Sequence, residues 1–166
     1  MTAPYVADFA AISNNGGRSE PAWLRETRRE GIERFEKLGF PTPRNEDWHF
    51  TSVSRIAEST VSPLRAASGQ LSRAELAPFT FGHAEWPSLV FVNGRYDKTL
   101  STAVGVVPGV RALDLATALR DEPALVEPWL GKISPSEGRS FTALNAAFMA
   151  DGAVVQVGPS YVHAVL

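Results

Sequence analysis

Residues 19–39, SEPAWLRETRREGIERFEKLG, restrict the fold more than any other stretch. Ser19 is suited to cap a helix and Pro21 to an early helical position. At 100° per residue, Trp23, Leu24, Thr27, Gly31, Phe35 and Leu38 share one face, with Ile32 at its border. The opposite face carries Arg25, Glu26, Arg29, Glu30, Glu33, Arg34, Glu36 and Lys37, a solvated charge run. Glu30/Arg34 and Glu33/Lys37 have the favoured i,i+4 order, which adds about 0.2–0.5 kcal/mol per pair. Gly31 costs about 1 kcal/mol relative to alanine in a helix interior, so its presence predicts a close packing neighbour. Gly39 stops the helix, and Pro41 and Pro43 follow it.

The remaining elements are shorter. Residues 1–18 read as a flexible tail with a short helix at Val6–Ile12. Helical turns are expected at Ser52–Glu58 and Ser72–Leu76. Ser88–Val92 is an apolar β-type run, and Asn93-Gly94 after it is a strong hairpin signal because both residues tolerate positive φ. Arg95–Lys98 would be the returning strand. Val104–Val110 reads as another extended piece. Asp114 caps a helix over Leu115–Arg120, Pro123 restarts one over Ala124–Leu130, and Gly131 stops it. Ser140 caps a helix over 141–150 with Phe141, Leu144, Ala147 and Phe148 on one face, and Gly152 ends it. Residues 153–157, AVVQV, are a strand, and PSYVHAVL begins another. The class is α+β.

Composition removes several functions. A net charge of −2 gives no basic surplus for nucleic acid or an anionic membrane. No apolar run reaches the length of about 18 residues that a membrane span needs. The first residues lack the basic start and apolar stretch of a secretory signal. Cysteine is absent, which removes disulfides, thiolate nucleophiles and thiolate ligands for zinc or iron–sulfur clusters. It also fits a reducing compartment such as the cytoplasm.

No phosphate-binding glycine loop, dinucleotide fingerprint, H-E-x-x-H or G-x-S-x-G motif occurs. Chemistry therefore rests on FPTPRNEDWHFTS, residues 40–52, where Glu46, Asp47 and His49 cluster. On a strand, Asp47 and His49 would point the same way and could hold a metal or act as an acid–base pair. On a helix they diverge by about 200°. The favoured reading is a structural corner: Asn45 caps, Glu46 and Asp47 sit at the positive end of the dipole, and Trp48 and Phe50 plug a core. His83 reads as a loop residue and His163 as part of the last apolar stretch. Trp23, Trp48, Trp86 and Trp129 read as core plugs from separate segments.

Three ordered segments then resemble a known family. Leu38-Gly39-Phe40-Pro41-Thr42-Pro43-Arg44-Asn45-Glu46-Asp47-Trp48-His49-Phe50-Thr51 is the first. Phe91-Val92-Asn93-Gly94-Arg95-Tyr96, with Leu100-Ser101, is the second. Phe141-Thr142-Ala143-Leu144-Asn145-Ala146-Ala147-Phe148, with Asp151-Gly152-Ala153, is the third. Together they resemble the N-terminal region of the SufB/SufD family, on its SufD side. His49 stands where lysine or arginine is usual, which weakens any role for positive charge there. The resemblance implies a non-catalytic scaffold subunit of SUF iron–sulfur cluster assembly, with a SufB-like paralogue and a SufC-like ATPase as partners. It implies a mainly helical N-terminal domain over 19–152 and the first strands of a parallel β-helix over 153–166. The chain ends in apolar, strand-like sequence, so it is expected to be a fragment of a longer protein. The family's partner surfaces and cluster ligands would lie beyond it, so no catalytic, cofactor-binding or metal residue is assigned here. The alternatives are a small metal-dependent or acid–base enzyme using Glu46, Asp47 and His49, and a peptide-binding module with an exposed strand edge near 88–98 or 153–166.

Overall fold

A computed structural model describes residues 2–14, 20–59, 71–80, 86–102, 109–134 and 136–158. Ser19, His83, His163 and most of Val104–Val110 lie outside the described residues. The chain divides into two units, Met1–Pro63 with Pro123–Met149, and Leu64–Glu122 with Ala150–Leu166.

The first unit is helical. It contains α1 (Ala3–Asn14), α2 (Ala22–Leu38), a 3₁₀ turn (Glu46–Trp48), α3 (Ser54–Glu58) and, after the second unit's segment, α6 (Pro123–Val126) and α7 (Ser140–Phe148). α1 corrects the reading of a flexible tail: the helix is longer than Val6–Ile12, and Tyr5 is buried in the core.

Pro21 occupies the cap position of α2, one residue outside the helix, and makes no side-chain cap bond. The buried positions of α2 are Leu24, Gly31, Ile32 and Phe35, while Leu38 is 41% exposed. Ile32 thus belongs inside the buried arc rather than at its border. Arg28 lies along the same arc with its side chain only 11% exposed. It donates to the Ala147 carbonyl at 3.3 Å and pairs with Glu20 at 3.3 Å. On the outer face Arg34 meets Glu30 at 3.0 Å, as the spacing predicts. Glu33 instead pairs with Arg29, which also grips Glu26, so Arg29 rather than Lys37 takes Glu33.

α7 packs along α2, and Gly31 is the reason the two approach closely. A Cβ at Gly31 would lie 2.8 Å from both the Ala143 carbonyl oxygen and the Ala147 nitrogen, and 3.1 Å from the Ala146 Cβ. The facing surface of α7 is itself alanine, with Ala143 and Ala147 buried. The expected close neighbour is therefore a helix backbone. Gly31→Ala should destabilise the protein by about 1–2 kcal/mol. Overpacking against backbone costs about 1–3 kcal/mol, and the gain in helix propensity returns only about 1. Urea denaturation checks the sign: a stabilised variant would mean that α7 shifts freely.

The core of this unit joins Tyr5, Ile32, Phe35, Phe40, Val53, Ala143 and Ala147. Its centre is a triangle of edge-to-face rings: Phe35–Phe40 at 5.2 Å, and Tyr5 at 5.5 Å from each. Burial pushes the Tyr5 hydroxyl above its ordinary pKa. Ser140 is the first residue of α7 rather than its cap; Arg139 holds that position without a side-chain bond.

The second unit holds α4 (Arg73–Leu76), the hairpin strands β1 (Phe91–Val92) and β2 (Arg95–Tyr96), β3 (Val110–Asp114), α5 (Leu115–Asp121) and β4 (Ala153–Val157). α4 starts on a reciprocal capping box between Ser72 and Glu75. Asn93 and Gly94 have φ of 51° and 75°, the two left-handed residues a tight hairpin requires. Asp114 caps α5 by accepting from the Thr117 amide at 2.8 Å.

β3 shares only Val110 with the extended piece read at Val104–Val110, and it pairs antiparallel with β4 from Val110↔Val157 to Asp114↔Ala153. AVVQV, expected to open a parallel β-helix, is thus half of an antiparallel ladder. The described residues show two antiparallel pairs and no β-helix. Asp151, just before β4, ties three parts of this unit together. Its carboxylate accepts from the amides of Tyr96 at 2.8 Å, Ala116 at 3.2 Å and Gly152 at 2.9 Å.

Candidate functional site

The chemistry-bearing residues of the first unit gather at the corner after α2. Phe40 and Pro41 are buried at its start and Val53 at its end. Between them the chain rises into solvent and winds through Glu46–Trp48. Three i→i+3 backbone bonds hold this rise: Trp48 to Asn45, His49 to Glu46 and Thr51 to Trp48, at 2.9, 3.2 and 3.0 Å. Asn45 sits at the cap position, but its side chain turns back. Its Oδ1 accepts from the Thr42 amide at 2.8 Å and the Thr42 hydroxyl at 3.2 Å. Asn45 therefore staples the proline-rich approach instead of capping the turn.

Trp48 and Phe50 part company. Trp48 is half-buried, with its ring 5.3 Å from that of Phe141. Phe50 is 96% exposed, which overturns its reading as a core plug. The 3₁₀ turn explains the split: it advances three residues per turn, so residues two apart cannot share a face. Two further tryptophans also fail as core plugs, since Trp86 is 55% and Trp129 62% exposed. α6 ends at Val126, short of the expected Leu130, and Trp129 is carried outward on the turn that follows.

Asp47 and His49 are likewise two apart and do not converge. The Nδ1–H of His49 donates to the Pro43 carbonyl at 3.2 Å, and its ring meets Phe50 edge-on at 4.7 Å. Glu46 and Asp47 make no ion pair among the described residues. Among those residues no group of three or more histidine, cysteine, aspartate or glutamate side chains is placed to hold a metal. Zinc or iron(II) added to metal-free protein should accordingly leave its melting temperature unchanged. A rise that His49→Ala abolishes would restore a metal site.

Elsewhere charge is used structurally. Arg111 of β3 grips Glu122 and holds its carboxyl below the ordinary glutamate range. Arg34 donates to the Ser136 hydroxyl at 2.6 Å and pairs with Glu137 at 3.2 Å. No helix among the described residues is long and apolar enough to cross a membrane.

The corner, the Asn93-Gly94 hairpin and α7 with Asp151 are the three segments whose order suggested a family. The family model for the SufBD protein N-terminal region matches residues 2–163. The chain belongs to the SufB/SufD family. No curated protein matches it. In this SufB/SufD N-terminal region the three segments do structural work. The corner joins α2 to the turn that seats Trp48, the hairpin receives Asp151, and α7 covers Gly31. Asp151 is what the sequence reading overlooked. It appeared there only as part of a motif, and no local pattern shows that one carboxylate serves three amides.

Proposed function

We propose that the chain is the N-terminal domain of a SufD-type subunit and acts as a non-catalytic, cytoplasmic scaffold in iron–sulfur cluster assembly. Its partners on this reading are a SufB-like paralogue and a SufC-like ATPase, and a parallel β-helix follows the described residues. The family match over 2–163 carries the proposal. Two observations support it. The Glu46, Asp47 and His49 cluster diverges around a turn instead of converging on a substrate or metal. The chain also has no cysteine with which to hold a cluster itself.

Native mass spectrometry of the endogenous protein, tagged at its N-terminus and purified without oxygen, tests this. The expected result is a polypeptide longer than 166 residues travelling with an ATPase and a related subunit. A free chain of this length without partners would overturn the scaffold role.

A further inference from the structure

We propose that Asn93 is a modification site: its side-chain amide is lost spontaneously to give aspartate and isoaspartate, and Asp151 sets the rate by holding the hairpin shut.

The chemistry needs an asparagine followed by a residue whose backbone nitrogen is unobstructed. Asn93 precedes Gly94, and both are exposed. The Gly94 nitrogen gives its proton to solvent and bonds to the side-chain carbonyl carbon of Asn93. The bond from that carbon to Nδ2 breaks, and the nitrogen leaves as ammonia. Water then opens the five-membered imide at one of its two carbonyls, giving aspartate or isoaspartate. No oxidant or reductant takes part.

The folded turn opposes the first step. Val92 pairs with Arg95 across two residues of positive φ, 51° at Asn93 and 75° at Gly94. That is a type I′ turn, the mirror image of type I, which sets ψ of Asn93 at about +30°. ψ is the angle between the Asn93 and Gly94 nitrogens about the Cα–C bond, so the two nitrogens are nearly eclipsed. The Asn93 Cβ is then turned away, and its amide carbon cannot reach the Gly94 nitrogen. Reaction requires the turn to open.

The hairpin has two residues in each strand, and a ribbon of that size is marginal on its own. Its closure depends on the contacts around it. The Phe91 and Tyr96 rings lie 5.8 Å apart, and the Asp97 amide donates to the Val90 carbonyl at 2.9 Å. The Tyr96 amide donates to Oδ2 of Asp151 at 2.8 Å, from 55 positions away. A charged acceptor makes this the stronger type of hydrogen bond. Loss of the Asn93 amide therefore reads how well this latch holds. The change is also one-way. Isoaspartate routes the main chain through Cβ, which adds an atom to a turn built for two residues, so the modified hairpin does not reclose in register.

The test incubates the intact chain in mildly alkaline buffer, native and in concentrated guanidinium chloride, and follows the Asn93 peptide by mass spectrometry. Peptide mapping keeps it apart from Asn15-Gly16, the other Asn-Gly pair of the sequence. The unfolded chain is expected to convert Asn93 at least about tenfold faster than the native one, because local opening limits the native rate. Asp151→Ala, checked by circular dichroism to be folded, should convert Asn93 roughly tenfold faster than the unsubstituted protein, the factor that one lost bond to a charged acceptor implies. If that variant does not fold, Phe91→Ala loosens the hairpin by removing the ring contact with Tyr96 and should act in the same direction. Equal rates in the native and unfolded chains overturn the protection by the turn. An unchanged rate in the folded variant overturns the gate. An Asn93 that stays intact in the unfolded chain overturns the modification site itself.

Discussion

Phe35→Ala is expected to lower the unfolding free energy by about 3–5 kcal/mol. The side chain is fully buried at the centre of the first unit's core. Its ring makes edge-to-face contacts with Phe40 at 5.2 Å and Tyr5 at 5.5 Å. Each such pair is worth about 0.5–1.5 kcal/mol beyond the area it buries. Truncation leaves a cavity between α1, α2 and the start of the corner, and the close fit of α2 to α7 at Gly31 limits collapse into it. A typical domain has only about 5–15 kcal/mol in hand, so the variant should unfold at a much lower urea concentration. Near-ultraviolet circular dichroism should also lose the signal of the Tyr5 environment. A loss below about 1 kcal/mol would show that the core refills the space. Phe35→Leu, which keeps most of the volume, should cost less than half as much.

Asp151→Ala should destabilise the second unit by about 2–4 kcal/mol. Hydrogen bonds to a charged acceptor contribute about 1.5–3 kcal/mol each. Here one carboxylate takes three amides, from the hairpin, α5 and its own successor. Partial exposure and the sharing of one group keep the sum below three full bonds. Asp151→Asn separates the contacts. Its remaining oxygen can stand at Oδ1 and keep Ala116 and Gly152, while its amide nitrogen would confront the Tyr96 N–H. Hydrogen exchange should then quicken at Tyr96 in both variants but at Ala116 only in the alanine variant. Equal exchange at Tyr96 in all three proteins would mean that the carboxylate does not anchor the hairpin.

The parts of this fold that were legible in the sequence are those governed by local physics. The Asn93-Gly94 hairpin needs two positive φ values, and few residue pairs supply them. The α2 helix announces itself by period and by Gly39, and Gly31 correctly signalled a close neighbour. Asp114 was readable as a cap because a cap is a bond within four residues. What failed was non-local. Whether AVVQV pairs parallel or antiparallel depends on β3, some forty residues earlier, and nothing within AVVQV encodes that choice. Phe50 and Trp129 are apolar by type, yet the winding of a 3₁₀ turn and the early end of α6 carry them outward. The central device of the corner was not legible either. Asn45 has the composition of a cap and serves as a staple to Thr42.

The hydrogen bond from Arg28 to the Ala147 carbonyl spans 119 positions of chain. Synthesis proceeds at about 5–20 residues per second, so roughly 6–24 s separate the emergence of its two ends. For that interval Ile32 and Phe35 are on the nascent chain without Ala143 and Ala147 of α7, which share their core. β4, the partner of β3, emerges later still. The stretch from α7 to β4 therefore completes both units almost together. Neither unit can mature ahead of it on the ribosome. A chaperone that shields Ile32 and Phe35 during this wait should raise the yield of folded protein, and a stall placed before residue 140 should lower it.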